Sequence, residues 1–243
     1  MTLEGRAALV TGAGRRVGQA IAVGLARAGC DVAVHVHGTP DGGAETGGRI
    51  AALGRKGPVL AADLTDPAAA RALAGRAAQA LGGRLDIVIN SAAIMVRQAV
   101  EDVTPESWDR TQALNLRAPF FVTQGALPHL RRARGKVVNL ADVAALEPWA
   151  AYVPHGVSKA GVVMLTKGLA RALAPEITVN AVAPGAVLPP DDWDATTRAH
   201  FAETTPLGRL GSPDDVVHAV LYLLEADYVT GTVLVVDGGR VIR

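Results

Sequence analysis

A single cysteine among 243 residues excludes an intramolecular disulfide, and with it the stapled scaffolds of small secreted domains. Cys30 follows Gly29 at the entry to an apolar run, where buried packing accounts for it better than a reactive thiol does. No uncharged apolar stretch reaches the roughly 18 residues that a membrane-spanning helix needs. The first residues lack the basic start and apolar stretch of a signal peptide, so the expected setting is the reducing cytoplasm, away from membranes. Neither sign of charge is in excess: charged residues make up 19% and the formal net charge is +1, which gives no electrostatic reason to expect nucleic acid as a partner. The cluster Arg131-Arg132-Ala133-Arg134 reads as the solvated end of a helix, where cations suit the dipole.

What is present is a hydrophobic fraction of 49% and a regular alternation of short apolar runs with longer helical ones. Strands are expected at residues 6–10, 31–36, 58–61, 85–90, 136–140, 177–181 and 233–236. Most are apolar without strict alternation, as befits strands covered on both faces. Helices are expected at residues 17–28, 41–54, 67–81, 105–132, 150–174 and 213–224. Asp66, Thr104 and Ser212 each precede a proline, a pattern for an N-cap followed by proline in the first turn. Repeated strand–helix–strand units imply an α/β Rossmann fold: one domain over residues 1–243, with a doubly wound, seven-stranded parallel sheet and helices on both faces. The Pro-, Asp- and Thr-rich stretch 184–206 is expected to be an irregular lid over a substrate.

Directly after the first strand comes Thr11-Gly12-Ala13-Gly14-Arg15-Arg16-Val17-Gly18, leading into a helix. Such a turn lets backbone approach a pyrophosphate at the positive end of the helix, which predicts dinucleotide binding through Gly12, Arg15, Arg16, Val17 and Gly18. Sites that prefer NAD place a carboxylate at the end of the second strand. Here that place holds His35-Val36-His37-Gly38-Thr39, and Arg16, His37 and Thr39 could hold a 2′-phosphate. NADP(H) is therefore the expected cofactor, with NAD(H) the alternative. A zinc reading of His35 and His37 lacks a third ligand, and no metal is expected.

Taken together, these residues resemble the short-chain dehydrogenase/reductase family over nearly the whole chain. The family's Thr-Gly-x-x-x-Gly-x-Gly turn is present with Arg16 for the middle glycine. Asp63-Leu64 is similar to the pair that faces the adenine, and Asn90-Ser91-Ala92-Ala93 to the segment after the fourth strand. Pro184-Gly185 and Val235-Val236-Asp237-Gly238-Gly239 match late motifs of the family. Asn115 matches the asparagine of its proton relay. The family's Ser, Tyr and Lys fall on Asp142, His155 and Lys159, with residues 155 and 159 on one helical face. Asp142, the arginine-bearing turn and the His-x-His strand resemble the pteridine reductase branch, although Met95 stands where that branch has a ring to stack on the pterin, and Gly38 where it often has arginine. The resemblance implies a small-molecule substrate, a pterin or another small carbonyl or imine, and a homotetramer.

His155 at the tyrosine position alters the expected chemistry. A phenol begins near pKa ~10 and an imidazole near ~6.5, and the shorter ring tests reach, the first requirement of acid–base catalysis. Three readings stay open: His155 is the acid–base group of a working reductase; Tyr152 or Asp142 substitutes for it; or the chain binds cofactor without turnover, as a sensor or regulatory subunit. Trp149, Trp193 and Phe201 are candidates for a pocket wall, and His129, His200 and His218 belong to no constellation.

Overall fold

The computed structural model describes residues 1–38, 40–188 and 193–242. Strands β1 (Ala7–Val10), β2 (Asp31–Val36), β3 (Val59–Ala61), β4 (Ile87–Asn90), β5 (Lys136–Leu140), β6 (Thr178–Pro184) and β7 (Val233–Val236) form one sheet. Its order is β3-β2-β1-β4-β5-β6-β7 and every pairing is parallel. The expected Rossmann-type architecture is therefore present. The unbroken apolar runs are explained by burial: β1, β4 and β5 are buried along their whole length, whereas the edge strands β3 and β7 are not.

Two helical layers cover the sheet. On one face α1 (Arg16–Arg27), α2 (Pro40–Ala51) and α8 (Pro213–Glu225) pack through Ile21, Leu25, Ile50, Val220 and Leu223. On the other, α3 (Pro67–Ala80), α5 (Ala118–Ala133) and α6 (Val153–Leu173) pack through Leu73, Ala77, Val122, Leu130 and Leu173. The three capping expectations hold, since the side chains of Asp66, Thr104 and Ser212 accept hydrogen bonds from the first turns of α3, α4 (Pro105–Gln112) and α8. Cys30 is buried, which pushes its thiol up to about 12. No helix among the described residues is long and apolar enough to cross a membrane.

Two elements depart from expectation. The long helix expected at residues 105–132 is split into α4 and α5 by a wide, π-type turn at Ala113–Arg117, with Ala118 N–H reaching back to the Ala113 carbonyl. The cause is Pro119, which has no N–H to give the Asn115 carbonyl and whose ring crowds that carbonyl. The stretch 184–206 is less irregular than its composition suggests: Pro184 closes β6, and the Asp194 carboxylate accepts from Thr197 N at 2.7 Å to start α7 (Ala195–Glu203). An acidic residue there acts as a helix cap. Residues 189–192 of that stretch lie outside the described residues.

Candidate functional site

At the carboxyl ends of the strands lies a cleft of about 1930 Å³, reaching from the glycine-rich turn to the start of α6. It sits where the order of the sheet reverses between β1 and β4, the switch point at which open α/β sheets bind ligands.

Backbone shape governs the first end. Gly12 adopts φ +66°, and a Cβ there would lie 2.8 Å from the Ala92 Cα; a Cβ on Gly18 would run into the Gly12 carbonyl oxygen. Arg16, at the position of the missing glycine, takes the left-handed φ of +55° that the turn demands. Thr11 Oγ1 accepts from Ser91 N (2.9 Å) and Ala92 N (3.1 Å), tying the turn to the chain after β4. His35 is a second strut: Gly12 N donates to its Nδ1 at 3.1 Å, and its Nε2 donates to the Ala62 carbonyl at 3.1 Å. Burial holds this imidazole down to about 4, which keeps it neutral and able to do both. Neither strut role was legible in the sequence, where His35 shows only as a polar residue in an apolar strand. Unlike α3, α4, α7 and α8, α1 has no side-chain cap, and its first turn holds no acidic residue, which leaves its positive end open to an anion.

The sequence-predicted binding residues divide. Gly12, Arg15, Arg16, Val17, Gly18, His37, Asp63, Leu64, Ser91, Ala92, Lys159, Pro184 and Gly185 all line the cleft. Gly38 and Asn90 are not among the lining residues; Asn90 is buried behind the wall, its amide donating to Thr123 Oγ1 and to Asn139 Oδ1. Thr39 lies outside the described residues. Arg16 Nη2 donates to the Leu188 carbonyl at 2.7 Å, bridging the turn to the loop after Gly185. The Asp63 carboxylate accepts from the Thr65 hydroxyl and backbone N–H, which holds it below the usual carboxylate range.

Side chains govern the other end. The π-type turn presents Asn115, whose Oδ1 accepts from Ile94 N (2.8 Å) and whose Nδ2 donates to Ile94 O (2.9 Å) and Ser158 Oγ (3.0 Å). His155, in the first turn of α6, is only 4% exposed; its Nδ1 lies 3.1 Å from the Ile94 carbonyl and its Nε2 3.5 Å from Asp142 Oδ2. Lys159, one turn later, donates to the Leu140 carbonyl at 2.6 Å, and burial pushes its ammonium down to about 8 against the attraction of Asp142. Asp142, His155, Lys159 and Tyr152 thus meet along one wall, with Asn115 buried behind His155. Such a set can bind a hydroxyl or carbonyl and move a proton to or from it.

Around this end stand apolar and aromatic side chains. Trp149 and Tyr152 meet edge to face at 6.0 Å, Trp193 and Phe201 pack at 4.0 Å, and the Arg240 guanidinium lies 4.3 Å from the Phe201 ring centre. Met95 lines the cleft and is half exposed. Glu147 was not foreseen as a lining residue; in the sequence it is an isolated carboxylate that no spacing ties to the site.

Known proteins are similar to this chain in sequence and fold. The profile of a family described as enoyl-(acyl carrier protein) reductase matches residues 12–240. The chain is 33% identical over 251 residues to 2-dehydro-3-deoxy-D-gluconate 5-dehydrogenase of Escherichia coli, covering 100% of this chain and 98% of that protein. It is 34% identical over 249 residues to 3beta-hydroxysteroid dehydrogenase 1 of Eggerthella lenta, covering 99% and 95%. Its fold superposes with a TM-score of 0.92 on a double mutant of a Serratia marcescens short-chain dehydrogenase/reductase, at 31% identity and covering 99% of this chain and 100% of that one.

Proposed function

The chain belongs to the short-chain dehydrogenase/reductase family, and from that premise we propose that it is a working oxidoreductase that prefers NADP(H) to NAD(H) and acts on a small planar carbonyl, imine or the matching alcohol or amine. The observation that carries this reading is the joining, in one cleft, of the uncapped N-terminus of α1 with the His155–Lys159 wall. The residues present fit a dinucleotide: Gly12 and Gly18 leave no room for a Cβ, so the turn hugs close enough for backbone N–H groups to face a pyrophosphate. Arg15, Arg16 and His37 line the same end, and β2 ends without a carboxylate, which supports the phosphorylated cofactor. When bound, the nicotinamide supplies or takes up the hydride.

The chain's own residues do the rest. Lys159 and Tyr152 offer donors to a hydroxyl or carbonyl at the α6 end, and Asn115 holds the Ile94 backbone that in turn orients His155. Trp149, Tyr152, Trp193 and Phe201 favour a flat, weakly polar substrate and exclude water from it. A pterin is one such ring, and Asp142 with the arginine-bearing turn supports that branch; Met95 offers it contact area without stacking geometry. The binding-only reading gains nothing from the relatives, which are named as dehydrogenases. Exposed Val157 and Met164 on α6 are consistent with self-association, and a tetramer forms part of the proposal.

The test is direct. NADPH and NADH binding are titrated by fluorescence, followed by turnover on dihydropterins, quinonoid dihydropterin, diketones and small aldehydes. Tighter binding of NADPH and measurable turnover on one of these classes are expected. Tight binding with no turnover until His155→Tyr is made would overturn the reading in favour of a cofactor-binding protein.

A further inference from the structure

We propose that His155 and Asp142 hold one proton between them, with Nδ1 of the ring locked as a donor and Nε2 as the atom that exchanges the proton. The inference deepens the hydride-transfer reading and rests on it only for what the proton is used for.

The argument is a count of hydrogens. Asn115 Oδ1 accepts from Ile94 N at 2.8 Å, which fixes the amide: the reversed orientation would set an NH2 against that N–H. Both hydrogens on Asn115 Nδ2 are then committed, one to Ile94 O at 2.9 Å and one to Ser158 Oγ at 3.0 Å. Ser158 can accept because its own hydrogen goes to the His155 carbonyl at 2.6 Å. The approach of Asn115 Nδ2 to His155 Nδ1, at 3.4 Å, therefore carries no hydrogen. The remaining neighbour of Nδ1 is the Ile94 carbonyl at 3.1 Å, which can only accept, so Nδ1 carries a hydrogen.

In a neutral ring of that tautomer, Nε2 is a bare lone pair. It is buried, makes no hydrogen bond, and faces Asp142 Oδ2 at 3.5 Å. A lone pair opposite a carboxylate is repulsive, and one proton between them removes the repulsion. Asp142 Oδ1 accepts from Ala144 N at 2.8 Å, which leaves Oδ2 as the oxygen that shares the proton with Nε2. The other titratable groups lining this part of the cleft are Lys159, whose ammonium opposes the imidazolium, and Tyr152 and Glu147. The segments bearing Ile94 and Asn115 bring the Ile94 carbonyl and the Asn115 amide to the ring, and they also carry Arg97, Asp109, Arg110 and Arg117 along the cleft.

In the reductive direction, the buried Nε2–H bond breaks as its hydrogen passes to Asp142 Oδ2, on a side chain that lines the cleft, and that O–H bond breaks in turn as the hydrogen bonds to the substrate oxygen or nitrogen; a bound nicotinamide would supply the hydride to the adjacent carbon. The ring is left neutral with Nδ1–H in place, beside an Asp142 carboxylate, and regains its proton from water. Oxidation runs these steps backwards.

The experiment uses the full chain labelled with 15N in its histidine rings, without cofactor, with His155→Gln identifying the His155 signals. Two-dimensional NMR at neutral pH is expected to show a hydrogen on Nδ1 and an Nε2 signal set by the proton shared with Asp142. Asp142→Asn and Asp142→Ser both keep an oxygen for Ala144 N–H, and in each the Nε2 signal is expected to move to that of a bare ring nitrogen while Nδ1 keeps its hydrogen. A bare Nδ1, or an Nε2 signal unmoved in both variants, overturns the shared proton. These signals are read without substrate, so absent turnover would sink the proposed function and leave the dyad standing, whereas an unmoved Nε2 signal would do the reverse.

Discussion

The two ends of the cleft are built on different principles. At the glycine-rich turn the work falls to backbone: Gly12 and Gly18 allow close approach, α1 offers an uncapped positive end, and Thr11 and His35 hold main-chain groups in place. At the α6 end it falls to side chains, with Asp142, His155 and Lys159 held by one or two hydrogen bonds or ion contacts each. Backbone sites tolerate almost no change of shape. Side-chain sites can change their chemistry while the frame stays put, since His155 is carried on helix backbone that its own side chain does not shape.

The sharpest way to break this comparison is to disturb the frame. Gly12→Val combines a left-handed backbone, costing roughly 1–2 kcal/mol for any side chain, with a Cβ pressed on the Ala92 Cα. Overpacking adds roughly 1–3 kcal/mol, so a loss of about 3 kcal/mol is expected in urea unfolding, together with loss of NADPH binding. Binding at wild-type affinity would show that the turn is not the cofactor cradle.

His35 tests the frame through pH. Its buried imidazole sits at about 4, against ~6.5 in an unfolded chain. The folded pKa is depressed, so the unfolded chain takes up a proton that the fold refuses. The contribution is complete above pH ~6.5 and is lost as pH falls toward about 4, amounting to about 3 kcal/mol across that window. Subtracting the pH profile of His35→Gln from that of wild type removes the carboxylates common to both. A flat difference between pH 7 and 4 would mean that His35 is no neutral strut.

How much of this was legible follows the same division. The sheet, the caps at Asp66, Thr104 and Ser212, and the glycine turn could be read because each is a local pattern that backbone geometry enforces. The break at Ala113–Arg117 was missed although Pro119 stands near the middle of the helix expected at residues 105–132, because a proline alone does not decide: Pro128 stands inside α5 without ending it. α7 was missed because Asp194 in a Pro- and Asp-rich stretch reads as turn chemistry. The tautomer of His155 could not be read at all. It depends on Asn115 and Ile94, which lie 40 and 61 residues away along the chain.

Lys159 sharpens the contrast by setting stability against function. Burial pushes its ammonium down to about 8 from 10.5, so at pH 7 the fold carries a charge that it disfavours. Lys159→Met is expected to raise stability at pH 7 by about 1–2 kcal/mol, net of the lost bond to the Leu140 carbonyl, while weakening turnover strongly. As pH rises from about 8 to 10.5 the folded lysine is neutral while the unfolded one is still charged. Wild-type stability then climbs, and the advantage of the variant shrinks. Thermal unfolding at pH 7 and 9.5 reads both signs, and an advantage that grows with pH would overturn the account.

The smallest effect lies where the two principles meet, at Arg16. Its φ of +55° is one that glycine adopts freely, so Arg16→Gly relieves about 1 kcal/mol of backbone strain. Against this stands the exposed hydrogen bond to the Leu188 carbonyl, worth about 0.5–1 kcal/mol, so thermal stability is expected to change little. What remains is the side chain's charge. If Arg16 occupies a glycine's place in order to meet a 2′-phosphate, removing it costs NADPH a charge-assisted contact of about 1.5 kcal/mol and leaves NADH untouched. Fluorescence titration should then show the ratio of NADPH to NADH affinity falling about tenfold. Should both affinities fall together, Arg16 serves the turn and its bridge to Leu188 instead, and the cofactor preference has to be sought in Arg15 and His37, which line the same end of the cleft.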